Sequence, residues 1–152
     1  MSELGKKSKL LLGIIISAMM IIGACSNENI VTKDSDKEDS STESLGSTYG
    51  FSQFNMSVDT KEMKGMLIVD YEEKRDKTEA VYENKVEDLY LKGDDAMEKL
   101  ETIFEELEFE PDMPDEDLIK ITAETFEVKD YEKLKLTIKF KGHDTKELMM
   151  TK

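Results

Sequence analysis

The order of apolar and polar positions divides the chain into three stretches. Residues 10–22 are apolar apart from Gly13 and Ser17, residues 26–48 are almost wholly polar, and from residue 49 onward apolar residues recur at regular periods. Phe54, Met56 and Val58 alternate with Asn55, Ser57 and Asp59, the period of two that marks a half-buried strand. Met66 to Val69 is a continuous apolar run closed by Asp70-Tyr71-Glu72 and reads as a second, more buried strand. Glu73 to Lys77 is a charged turn, and Glu79 to Glu83 is the returning strand of a hairpin.

The period then changes to about 3.6. Ala96, Leu100, Ile103 and Leu107 share one face, which Met97 and Phe104 broaden. Asp95 followed by Glu98 predicts a capping-box start, and the helix should end near Glu108, before Pro111. A second helix is expected from about Pro114, because proline's missing N–H costs nothing in a first turn. Asp115, Glu116 and Asp117 suit the positive end of that helix's dipole. Its apolar face would be Leu118, Ile119, Thr122 and Phe126. The clearest strand comes last: Leu134, Leu136, Ile138 and Phe140 alternate with Lys133, Lys135, Thr137, Lys139 and Lys141. Gly142-His143-Asp144 turns into a short final strand over 145–150. The order βββ-αα-ββ predicts an α+β domain over 49–152, an antiparallel sheet with two helices packed on one face.

The N-terminus reads as an address. Lys6, Lys7 and Lys9 precede the apolar run, which has the roughly 7–15 residues of a signal-peptide core and falls short of the ~20 needed to span a bilayer. The following Ile22-Gly23-Ala24-Cys25 resembles a bacterial lipobox: an aliphatic residue, two small residues, then the acceptor thiol. Cleavage of 1–24 would leave Cys25 as a lipid-bearing N-terminus. Cys25 is the single cysteine of the chain, and an exported lone thiol is otherwise a liability. Two acyl chains hold stably to a membrane where one holds marginally. The expected location is the extracytoplasmic face of the cell membrane.

Residues 26–48 carry six acids, two Lys and no aromatic residue, a composition that cannot offset the entropy of ordering. The stretch 25–48 is therefore read as the lipidated Cys25 and a disordered acidic linker, about 25–30 Å in root-mean-square span. Asp34, Asp36 and Glu38 only superficially suggest a calcium loop, since such a loop wants Gly sixth and Glu twelfth and this one has Asp39 and Leu45.

Within 49–152, Phe51 to Val58, Leu91-Lys92-Gly93-Asp94-Asp95-Ala96 with Leu100, Phe126, and Tyr131 with Leu134 to Phe140 are similar in order and spacing to the YusW-like domain of Bacillus-type lipoproteins. The resemblance covers about 50–150, behind a leader and linker of the same kind. It implies a Gram-positive source and the α+β fold, and it transfers no functional residues, because the family has no assigned activity. Twenty Lys against the single Arg75 agree with a low-GC genome.

Composition then removes several functions. The chain has 152 residues, 35 acids, 21 bases and a net charge of -14; losing three Lys and one Glu with the leader brings the mature chain to about −16. That charge argues against tracking nucleic-acid phosphates. One Cys and one His leave no cysteine-based zinc site. His143 lies in a turn with no nucleophile beside it, and there is no Gly-x-Ser-x-Gly, His-Glu-x-x-His or phosphate-binding glycine loop. No catalytic residue and no cofactor are expected. A wall hydrolase needs only two carboxylates, but a sugar cleft wants aromatic walls, and Trp is absent.

Charge is uneven. Residues 87–130 carry seventeen acids and four bases, whereas 131–152 carry three acids and six bases. A solvated helix surface and aggregation-resisting Lys account for this economically. Clusters such as 105–112 and 115–117 offer oxygens to Ca²⁺ in the millimolar range, without the spacing of a known cage. The function this supports is a membrane-anchored binding or accessory module. Lys133, Lys135, Lys139 and Lys141 are its candidate contact with an envelope protein, an anionic wall polymer or lipid headgroups; the acidic helices could instead meet a basic partner. A cation-binding surface protein and a carboxylate-dependent wall hydrolase are the alternatives.

Overall fold

The computed structural model describes residues 29–32 and 45–152. The leader, the lipobox and Cys25 lie outside the described residues. The elements are β1 (Ile30–Val31), β2 (Phe51–Asp59), β3 (Leu67–Glu73), β4 (Thr78–Asn84), β5 (Leu89–Lys92), α1 (Asp94–Glu106), α2 (Asp115–Thr125), β6 (Lys133–Phe140) and β7 (Thr145–Thr151). All pairings in the seven-stranded sheet are antiparallel, in the order β1-β4-β3-β2-β6-β7 with β5 also on β4. The α+β architecture read from the sequence is the one observed.

β2 lies at the centre, between β3 and β6. Its Phe54, Met56 and Val58 are buried as the alternation requires. Phe51 is fully buried too, although strict alternation would turn it outward. A register irregularity resolves this: Phe51 pairs with Phe140 and Gln53 with Lys139, so β2 spends two steps where β6 spends one. Such a bulge rephases a strand locally and brings both Phe51 and Phe54 to the core. Phe104 of α1 meets both rings, with centroids 5.1 and 5.2 Å away. Phe126, at the end of α2, stacks on Phe54. Both helices therefore cover the same face.

The hairpin of β3 and β4 turns through the predicted charged residues, with the Lys74 amide donating to the Lys77 carbonyl. β3 runs on past Val69 to Glu73, and Tyr71 is buried within it. In α2, Leu118, Ile119 and Thr122 are buried as expected, and the Thr122 hydroxyl is satisfied by the Leu118 carbonyl at 2.7 Å.

Three features differ from the sequence reading. The capping box at Asp95 does not form: Gly93, at φ 58°, is the N-cap, α1 starts at Asp94, and no side chain caps it. A glycine in that conformation needs no side-chain cap to turn the chain into the helix. β5 is a strand the periodicity did not separate, its Leu89 and Leu91 packing on the core. Ile30 and Val31, within the stretch read as linker, pair with Glu79 and Thr78 of β4, and Val31 is buried.

Candidate functional site

No described helix lies on the second face of the sheet, and the registers fix what it presents. One row reads Glu79, Glu72, Gln53, Lys139, Thr145 from β4 across to β7. The next reads Val81, Asp70, Asn55, Thr137, Glu147, and a third Glu83, Ile68, Ser57, Lys135, Met149. Asp59 and Lys133 begin a fourth. Directly paired residues share a face, so the surface is polarised. β3 and β4 supply Asp70, Glu72, Glu79 and Glu83, β2 supplies Gln53, Asn55, Ser57 and, at its end, Asp59, β6 supplies Lys133, Lys135 and Lys139, and β7 adds Glu147.

The structure thus brings three of the four predicted contact lysines onto one face. Lys135 and Lys139 are exposed and Lys133 half-buried. Lys141 lies beyond the end of β6; it is exposed, and its amide donates to the Gly50 carbonyl. The register also sets the acids of β3 and β4 beside this face, which strand alternation alone does not reveal.

Electrostatics on the face follow from local partners. Asp59 accepts from the Gly65 amide at 2.7 Å. That bond, with Lys64, Lys133 and Lys135 nearby, holds its carboxyl below the usual range. Asp70 stands mid-sheet with an exposed edge, and partial desolvation there pushes its carboxyl up. Glu79 takes hydrogen bonds from Lys74 and Lys77 at 2.7 and 2.6 Å, which lower its pKa. Hydrogen bonds to Glu79 and Glu72 raise that of Lys74.

Where Gln53, Glu72 and Lys139 meet Leu45, Lys74 and Arg75, the face dips into an open depression of about 250 Å³. Side chains of both charge signs line it, together with Leu45. A second hollow of about 410 Å³ lies between β4 and the helices, among Tyr82, Ile103 and Phe126. Glu87, Glu106, Glu124 and Glu127 rim it, with the Lys99 ammonium 5.7 Å from the Tyr82 ring centroid. Burial raises the Tyr82 phenol's pKa.

The acidic runs 105–112 and 115–117 do not converge. Among the described residues no group of three or more His, Cys, Asp or Glu is placed to hold a metal ion. His143 is exposed in its turn, its amide donating to the Phe140 carbonyl. Among the described residues no helix is long and apolar enough to cross a membrane.

Fold and face together define a small α+β module whose antiparallel sheet is covered by helices on one side and, among the described residues, presents a mostly polar face on the other. The chain belongs to the family of YusW-like proteins, whose model matches residues 52–142. That match runs from the bulge of β2 to the turn after β6. No curated protein and no solved structure matches the chain.

Proposed function

We propose that this protein is a lipid-anchored, extracytoplasmic accessory module, joined to the membrane through Cys25 and binding anionic envelope polymer through the lysines of β6. The observation that carries the reading is the alignment of Lys133, Lys135 and Lys139 on one sheet face, in a chain whose sequence also holds a basic stretch, an apolar run and Ile22-Gly23-Ala24-Cys25. An anchored head gains effective concentration for anything in the same layer, so modest contacts suffice. The face presents the exposed Lys135 and Lys139 beside the half-buried Lys133, suited to a repeating phosphodiester chain, and shallow relief that would not enclose a small substrate. The proposal is accordingly non-enzymatic.

Metabolic labelling with radioactive palmitate tests the anchor. Wild-type protein should carry label and fractionate with membranes, and Cys25→Ser should do neither. Equal membrane recovery of unlabelled wild type and Cys25→Ser would overturn the anchoring. A crosslinking pull-down from intact cells, run on both forms, would show which envelope components only the anchored head reaches.

A further inference from the structure

β1 changes the geometry of the tether. The Asn29 carbonyl accepts from the Ala80 amide at 2.8 Å, Ile30 and Val31 pair with Glu79 and Thr78, and Val31 is buried. Beyond the strand, Thr32 donates through both its amide and its hydroxyl to the carboxylate of Asp94, the first residue of α1. β5 takes the outer edge of β4 from Val81 to Asn84 and leaves Thr78 and Glu79 open; β1 fills that remainder. The strap is thus held by backbone pairing, by burial and by a helix-terminal carboxylate.

We infer that β1 straps the head domain to the membrane surface, so that the working tether is the three residues 26–28 and not the whole stretch to Thr48. This rests on lipidation of Cys25. From Cys25 to Asn29 the chain makes four steps, at most about 14 Å when extended. Residues 33–44 run between Thr32 and Leu45, two points of one domain, and add nothing to its reach. Released from β4, the same chain would carry the head about 25 Å from the anchor as a coil. The strap therefore keeps the β1 edge of the head in the first layer outside the bilayer. The chemistry that β6 would meet there is phosphate-rich polyanion, either lipid headgroups or a polymer anchored in the membrane.

Two insertions separate the strapped from the unstrapped chain without disturbing the core. The mature lipoprotein is placed on supported bilayers of phosphatidylglycerol and phosphatidylcholine, and neutron reflectometry measures the gap between bilayer and protein. Wild type should stand within about 14 Å. Ten Gly-Ser residues inserted after Asp36 should leave the gap unchanged, whereas the same insert after Ser26 should widen it to roughly 20 Å. Equal widening by both insertions, or a wild-type gap near 25 Å, overturns the strap. Val31→Asp should widen the gap and expose the Ala80 amide to hydrogen exchange; an Ala80 amide that exchanges freely in wild type also contradicts it. Failure of the anchor is told apart, because the protein would then carry no lipid while the Ala80 amide stayed protected. Repeating the measurement on pure phosphatidylcholine with and without added lipoteichoic polymer distinguishes the sources of polyanion. A β6-dependent closer approach should follow either the anionic lipid or the polymer, and its absence with both removes β6 from the contact.

Discussion

Phe54 of β2 and Phe126 at the end of α2 lie with ring centroids 5.7 Å apart and planes 16° from parallel. This contact joins the middle of the sheet to the second helix, and Phe104 closes it from the first helix at 5.2 Å. One side chain therefore organises three elements that are far apart in sequence.

Phe54→Ala should consequently destabilise the domain by about 3–5 kcal/mol, the range for a fully buried aromatic that leaves a cavity. Chemical denaturation with an unchanged slope would check it. A loss below about 1 kcal/mol would mean that the two helices do not rely on this ring.

Gly46 and Gly142 both have positive φ, 83° and 73°, but differ in surroundings. A Cβ on Gly46 would meet the Phe51 carbonyl carbon and the Ser52 amide nitrogen, both at 3.0 Å, whereas one on Gly142 would meet nothing within 4 Å. The Gly46 amide also donates to Glu73 at 2.8 Å. Gly46→Ala should therefore cost about 1–3 kcal/mol, from strain and backbone contact together. Gly142→Ala should cost about 1 kcal/mol from its dihedral alone. Thermal melts of the two variants should rank in that order.

Two aspartates on the open face should respond to pH in opposite senses. Asp59 has its folded pKa lowered, so its contribution is present above the unfolded value of about 3.9 and is lost as pH falls through the folded one. Asp70 has its folded pKa raised, so it favours folding below the unfolded value and loses that contribution as pH rises through the folded one. Asp70→Asn should raise the melting temperature at pH 7 and leave it little changed near pH 3. Asp59→Asn should lower it at pH 7, with the deficit shrinking toward pH 3. Parallel profiles for the two variants would contradict the assignment.

Much of this fold was legible because alternation and helical period survive in single segments: β6 shows a clean apolar face, and α1 shows Ala96, Leu100 and Phe104. Ile30-Val31 and Leu89 to Lys92 were not legible. Two and four residues are too short to display a period, and their strand character comes from the open edge of β4. The partnership of Thr32 with Asp94 was not legible either, because the two are brought together only by the fold. The lysines of the candidate face could be found from alternation, since period two places them together. Their acidic neighbours could not, because the positions of Asp70, Glu72, Glu79 and Glu83 beside them follow from interstrand register.

The most direct test of the binding reading is co-sedimentation of the purified mature head with isolated anionic wall polymer, comparing wild type with Lys133→Glu, Lys135→Glu, Lys139→Glu and Lys141→Glu combined. Circular dichroism would verify that the reversed protein stays folded. Wild type should bind with an affinity that falls as salt rises, and the reversed face should lose at least about tenfold, or ~1.4 kcal/mol. Unchanged binding by the folded, reversed protein would contradict a role for this face.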